Sequence, residues 1–146
     1  MQTSILNRNQ AFFDIISDLS NKRKSVYNSI NKSSNITCRE IAKDLSLPIN
    51  SITGRVTELK NMFLIVESGS KVFLGRKHTC YRITTLNDRL KLWDKEFLST
   101  RNLRDLLVND FQKSNLCQES KDILKLKIEK LNKRLLSLYK ISETWR

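Results

Sequence analysis

The chain has 146 residues, room for one compact domain or a small domain with an extension. Its 39% hydrophobic content supports only a modest core, and with 3 Gly and 1 Pro it is poor in the residues that build long irregular segments. The formal net charge of +12 divides into +7 over residues 1–85 (13 basic, 6 acidic) and +5 over residues 86–146 (14 basic, 9 acidic), so the excess is no basic tail, and such a surface attracts polyanions, nucleic acid first among them.

Taken in chain order, residues 1–9 read as a loose arm. The next stretch, through Leu19, sets Phe12, Phe13, Ile15, Ile16 and Leu19 on a broad apolar face. A helix so short and so apolar must cover the adjoining domain or meet a second subunit. Ser20-Asn21 interrupts it. Lys22-Arg23-Lys24 then precede Ser25–Ile30, where Val26, Tyr27 and Ile30 keep a helical step. The basic triplet either lines a phosphate track or is a solvated helix start. After the polar loop 32–35, a short strand is expected at Ile36.

Thr37–Met62 organises the chain. Thr37 and Glu40 make the T-x-x-E pattern of a capping box, so a helix opens at Thr37. Ile41 and Leu45 face inward with Ala42, small enough to let a second helix cross closely. Ser46-Leu47-Pro48 is a break, because Pro suits a first helical turn and not a helix interior. The second helix runs from Pro48 or Asn50 to Asn61, with Ile52, Val56, Leu59 and Phe63 as its buried stripe. Its other face holds Asn50, Ser51, Thr53, Gly54, Arg55, Thr57, Glu58 and Asn61. That face lacks a large apolar residue and is rich in groups that hydrogen-bond base edges or phosphates; the plain alternative is a solvated polar side. Phe63–Val66 is β-prone, Glu67–Ser70 reads as a turn, and Lys71–Leu74 extend a strand. Gly75–Thr79 reads as a basic tip, and Cys80–Thr84 alternate like a half-buried strand. Helix, turn, helix and basic hairpin together describe a winged helix.

Cys38–Ala42, Leu47–Val56, Glu58-Leu59, Gly75–Lys77 and Tyr81–Ile83 carry a resemblance. Over roughly residues 10–85 the chain resembles small winged helix-turn-helix proteins of bacteriophages, and more distantly MarR-type regulators. It departs from their pattern at Ser70–Leu74, which hold no Cys or Pro. The resemblance implies DNA binding and a viral regulator.

From Leu86 onward the chain reads as helix with few breakers. Leu86, Leu90, Trp93 and Phe97 form one stripe, renewed after Ser99-Thr100 by Leu103, Leu106, Leu107 and Phe111. Ser114-Asn115 end it, and Leu124, Ile128, Leu131, Leu135 and Leu138 make a heptad seam. Lys125, Lys127 and Arg134 beside that seam oppose parallel pairing of identical copies. Antiparallel packing is expected, against the Leu86–Phe111 helix or a partner, with Trp145 either a packing anchor or a disordered end residue.

The expected architecture is therefore mainly α with a small β-hairpin wing. It comprises an N-terminal arm and helix (1–20), a winged helix-turn-helix domain (21–85) and a C-terminal helical hairpin or coiled coil for oligomerisation or partner binding (86–146). Chemistry is excluded on residue types. His78 stands without a partnering acid, the glycines form no phosphate loop, and Asp14, Asp18 and Glu40 do not cluster for metal ions. Cys38, Cys80 and Cys117 are too scattered for a zinc site and suit a reducing cytosol. No membrane span or signal peptide is legible, and no cofactor is expected.

The leading expectation is a dimeric, sequence-specific binder of double-stranded DNA, a phage-type transcriptional regulator of the bacterial cytoplasm, pairing through its N-terminal or C-terminal helices. Arg55 is the candidate base reader, since Arg pairs bidentately with guanine. Asn50, Ser51, Thr53 and Thr57 would read bases or hold phosphates, and Gly54 would permit close approach. Thr37 and Arg39 would clamp a phosphate, and Lys71, Arg76, Lys77 and His78 would dock the wing. The alternative is a viral structural or assembly protein, with a small-terminase-like layout or a winged helix turned to docking a viral or host protein.

Overall fold

The computed structural model describes residues 13–113 and 115–144. Phe12 and Trp145, both assigned packing roles above, lie outside them. The chain forms two compact units, residues 1–90 and 91–146.

In the first unit, residues 13–17 are helical, followed by α1 (Asn21–Lys32), β1 (Ile36–Thr37), α2 (Cys38–Asp44), α3 (Ile49–Asn61), β2 (Ile65–Phe73) and β3 (Arg76–Ile83). The strands form one antiparallel sheet in the order β1-β3-β2. Mostly helical, with this small sheet, the fold is the expected winged helix-turn-helix. The basic triplet falls inside α1 and does not precede it.

The core shows why these stretches became helices. Val26, Tyr27 and Ile30 from α1, Ile41 from α2, and Ile52, Val56 and Leu59 from α3 meet Leu64 and Ile65 in one buried cluster. Ile15 and Ile16 pack against it, so the first apolar helix covers its own domain through those two residues. Ile41, Ile52 and Leu59 are wholly buried; cutting any one to Ala costs about 2–5 kcal/mol by lost transfer energy and a cavity.

Helix ends are set without glycine. After α2, Leu47 N–H donates to the Ala42 carbonyl at 3.0 Å, and Ser46 sits at φ 51°. After α3, Leu64 N–H donates to the Leu59 carbonyl at 3.0 Å, and Phe63 sits at φ 58°. Both are Schellman-type closures with a side chain where Gly is usual. Thr84 steadies the second, its hydroxyl donating to the Phe63 carbonyl at 2.7 Å.

Two turn expectations need correction. Glu67–Ser70 do not turn the chain: they lie within the nine-residue β2, and the register shifts between Glu67 and Gly69. Gly69, at φ 130°, makes a bulge there, one extra residue in a strand that continues. The chain reverses instead at Leu74-Gly75, between the paired Phe73 and Arg76. Arg76, Lys77 and His78 therefore lie in β3 and are not a loop tip.

The helix Leu86–Phe111, here α4, opens in the first unit and runs unbroken through Ser99-Thr100. Helix α5 spans Gln118–Glu143. Within residues 91–146 the two helices meet antiparallel. Trp93 Nε1 donates to the Leu138 carbonyl at 2.8 Å, and Arg134 Nε donates to Glu96 at 2.7 Å. Trp93 stacks on Phe97, whose ring meets Tyr139 edge-on. The heptad seam faces inward, Leu135 and Leu138 being buried and Leu124, Ile128 and Leu131 half-buried. The stripe renewal does not: Leu103 and Leu106 are exposed. No helix among the described residues is long and apolar enough to cross a membrane.

Candidate nucleic-acid interface

Helix α3 carries the candidate reading surface. Pro48 is its N-cap, at φ -65° and ψ 143°, so the ring takes the one position where a missing N–H does no harm. With Ile52, Val56 and Leu59 buried, the turn of the helix leaves Asn50, Ser51, Thr53, Gly54 and Thr57 exposed. The Thr53 and Thr57 hydroxyls donate back to the Asn50 and Thr53 carbonyls at 3.2 and 3.0 Å. A rotatable hydroxyl leaves such a bond readily for a better acceptor. A Cβ built on Gly54 would meet nothing within 4 Å, so the glycine keeps the surface low there and relieves no internal crowding.

Arg55 is partly covered and held. Its Nη1 donates to both oxygens of Glu58, at 2.7 and 2.8 Å, and Arg23 Nε of α1 donates to the same carboxylate at 2.6 Å. The Arg55 hydrogen bond, ahead of the Arg23 pairing, lowers the Glu58 pKa. Sequence reading placed Glu58 on the polar face without a role and left Arg23 undecided. The i, i+3 spacing of Arg55 and Glu58 was the available signal; nothing local announced Arg23, 35 residues away. A concavity of about 80 Å³ bounded by Lys22, Ser51 and Arg55 brings another member of the triplet beside α3.

A larger cleft, about 560 Å³, lies between α2 and the hairpin and is lined by Thr37, Arg39, Glu40, Lys43, Lys71, Val72, Phe73 and His78. It unites four of the predicted residues, and its chemistry is already partly committed. Thr37 is 5% exposed and locked in the capping box: its hydroxyl accepts from Glu40 N–H at 3.2 Å, and its own N–H donates to Glu40 at 2.8 Å. Thr37 therefore holds the start of the helix, its hydroxyl and its N–H both engaged with Glu40. Lys71 Nζ reaches across to Glu40 at 2.8 and 3.1 Å. That bond, together with the Thr37 N–H, pulls the Glu40 pKa down to about 2. The Arg39 guanidinium lies over the Phe73 ring, 4.1 Å from its centre, a cation–π contact made by an exposed residue.

The hairpin divides its cations between two faces. Lys71 pairs with His78 and Phe73 with Arg76; Val72 pairs with Lys77 one step over, on the opposite face. Arg76 and Lys77 are exposed and join no ion pair among the described residues. Among those residues no group of three His, Cys, Asp or Glu is placed to hold a metal.

The chain matches no protein-family profile and no curated protein. Solved structures similar to it include two crystal structures. One is the crystal structure of Streptococcus pneumoniae FabT in complex with DNA, 17% identical, covering 94% of this chain and 94% of that one, with a TM-score of 0.41. The other is the crystal structure of a transcriptional regulator, 13% identical, covering 97% of this chain and 99% of that one, also at 0.41. A likeness at these values carries no functional inference.

Proposed function

We propose that this protein binds double-stranded DNA by sequence and acts as a transcriptional regulator, with α3 in the major groove and the hairpin beside it. The observation that carries this is the exposed row Asn50, Ser51, Thr53, Gly54 and Thr57 on a helix whose Ile52, Val56 and Leu59 are buried in the core, within a chain of net charge +12. Arg55 reads a base edge, released from Glu58 or steered by it. Arg39, Arg76 and Lys77 take phosphates, while Lys71 and His78 shape the cleft between wing and helix. The protein works as a dimer on a two-fold site, and the motif strings favour a phage-type regulator acting in a bacterial cytoplasm. No catalytic step is part of this reading.

The test uses DNA selected by the full chain from random duplexes at a stated salt concentration. Arg55→Ala should cost about 1–3 kcal/mol at one base pair and relax preference there. Lys77→Ala should weaken selected and random DNA alike and flatten the salt slope by about one. Equal effects of both changes on both kinds of DNA would refute a sequence reader.

A further inference from the structure

The hairpin ends in a side chain that its turn does not favour. Leu74 and Gly75 form the two-residue connection, at φ 48° and 72°. A connection with both residues left-handed is the type I′ turn, whose usual first residue is Asn, Asp or Gly, because a Cβ is crowded there. Leu occupies that place and is 82% exposed, more than any other large apolar residue described; Val72 beside it is 73% exposed. Neither backbone preference nor burial accounts for Leu at this position. A strained, solvated apolar residue at an apex points to a contact made outside the chain. The surroundings narrow the choice: Arg76, the first residue past the turn, lies on one face of the ribbon and Lys77, the second, on the other.

We propose that Leu74, backed by Val72, is a wedge that enters the DNA minor groove and pries apart a base step, while Arg76 and Lys77 hold the phosphates on either side. This rests on the DNA-binding reading above. Only the apex side chain has to enter: a minor groove about 6 Å wide admits a single apolar side chain and opens when kinked. Apolar wedges of this kind unstack a step and bend the duplex away from the inserted side chain. A lipid surface would also accept a Leu ringed by cations. The two-faced placement of the cations suits phosphates on both sides of a narrow apex better than a plane.

The experiment uses the full chain and its selected duplex, with dyes at the two ends and 2-aminopurine at the step facing the wing. Wild type should shorten the end-to-end distance and raise 2-aminopurine fluorescence. Leu74→Asn, which the turn prefers, should keep or raise the thermal midpoint yet abolish both signals. It should also bind about 10-fold more weakly, the scale of one lost apolar side-chain contact. Leu74→Ser repeats the test without the stabilising residue. A duplex that is bound by sequence yet stays straight overturns the wedge and leaves the DNA reading standing. Equal bending by wild type and Leu74→Asn does the same. Failure to bind any duplex removes both. Leu74-dependent uptake by phosphatidylserine vesicles, with an unbent duplex, would assign the apex to lipid and refute the wedge.

Discussion

A carboxylate on a surface proposed to meet DNA works against the phosphates, so Glu58 needs a reason. Its geometry supplies one: a single acid gathers Arg55 from its own helix and Arg23 from α1. All three side chains are between about a third and two fifths exposed, so solvent weakens the pairing, and its value is in placement more than in stability. Held this way, Arg55 is pre-aimed, and a phosphate that would capture it must outcompete Glu58. Glu58→Gln keeps the shape and removes the competing charge. It should strengthen binding to random DNA and steepen its salt dependence by about one, while discrimination between selected and random duplexes falls. Titrations at three or more salt concentrations decide this, and unchanged discrimination would mean that Glu58 only anchors α1 to α3.

At the scale of elements, the same device recurs at two helix starts. Glu40 closes the capping box of α2 and also receives Lys71 of β2. Asp88 closes a matching box on α4: it accepts from Thr85 N–H at 2.9 Å, while its own N–H donates to Thr85 Oγ1 at 3.2 Å. It also accepts from Arg82 of β3 at 2.7 Å, and that bond above all holds its carboxyl well below the ordinary range. Each carboxylate thus ties a helix N-terminus to a wing strand. Both folded pKa values lie below the unfolded ones, near 4. Their contribution is therefore complete above about pH 5 and is lost as pH falls through the folded values. Urea midpoints should fall between about pH 5 and pH 2 for the wild type. Asp88→Asn should lower the midpoint at pH 7 and flatten that acid limb; an unaltered limb would show that the Arg82 pair is solvated away in solution. Legibility differed between these elements for physical reasons. Thr37-x-x-Glu40 could be read because a capping box is local. The Thr85-x-x-Asp88 box has the same form with a shorter acid and was passed over among breaker-poor residues. Glu67–Ser70 look like a turn because Gly and Ser end strands as often as they bulge them, and only pairing with β3 decides. The ends of α2 and α3 carried no Gly to mark them. On the candidate interface, the exposed row of α3 followed from periodicity alone, whereas the Arg23–Glu58 contact and the strained apex at Leu74 depend on tertiary placement and turn geometry.

For the molecule as a whole, the decisive quantity is apolar surface that the described chain leaves to water. Within residues 91–146, Leu98, Leu103, Leu106, Ile123, Leu126, Leu136 and Tyr139 are each about half exposed or more. Two helices sharing one seam do not by themselves cover their outer sides, and exposed apolar side chains in that number mark a candidate interaction surface. In the dimer proposed above, a second copy of the same helix pair would cover these side chains, since a two-fold interface sets each apolar side against an identical one. The basic residues beside the α5 seam do not oppose this, because the exposed leucines lie away from it. Leu126, 67% exposed, contributes little to the fold of its own chain. Leu126→Glu, and likewise Leu106→Glu, should therefore leave the far-ultraviolet dichroism of the protein intact. Sedimentation should change from dimer to monomer, and affinity for a two-fold DNA site should drop toward that for a half-site. A dimer that survives both changes would place the interface elsewhere, and a wild type that sediments as a ring of many copies would favour the assembly-protein alternative over a regulator.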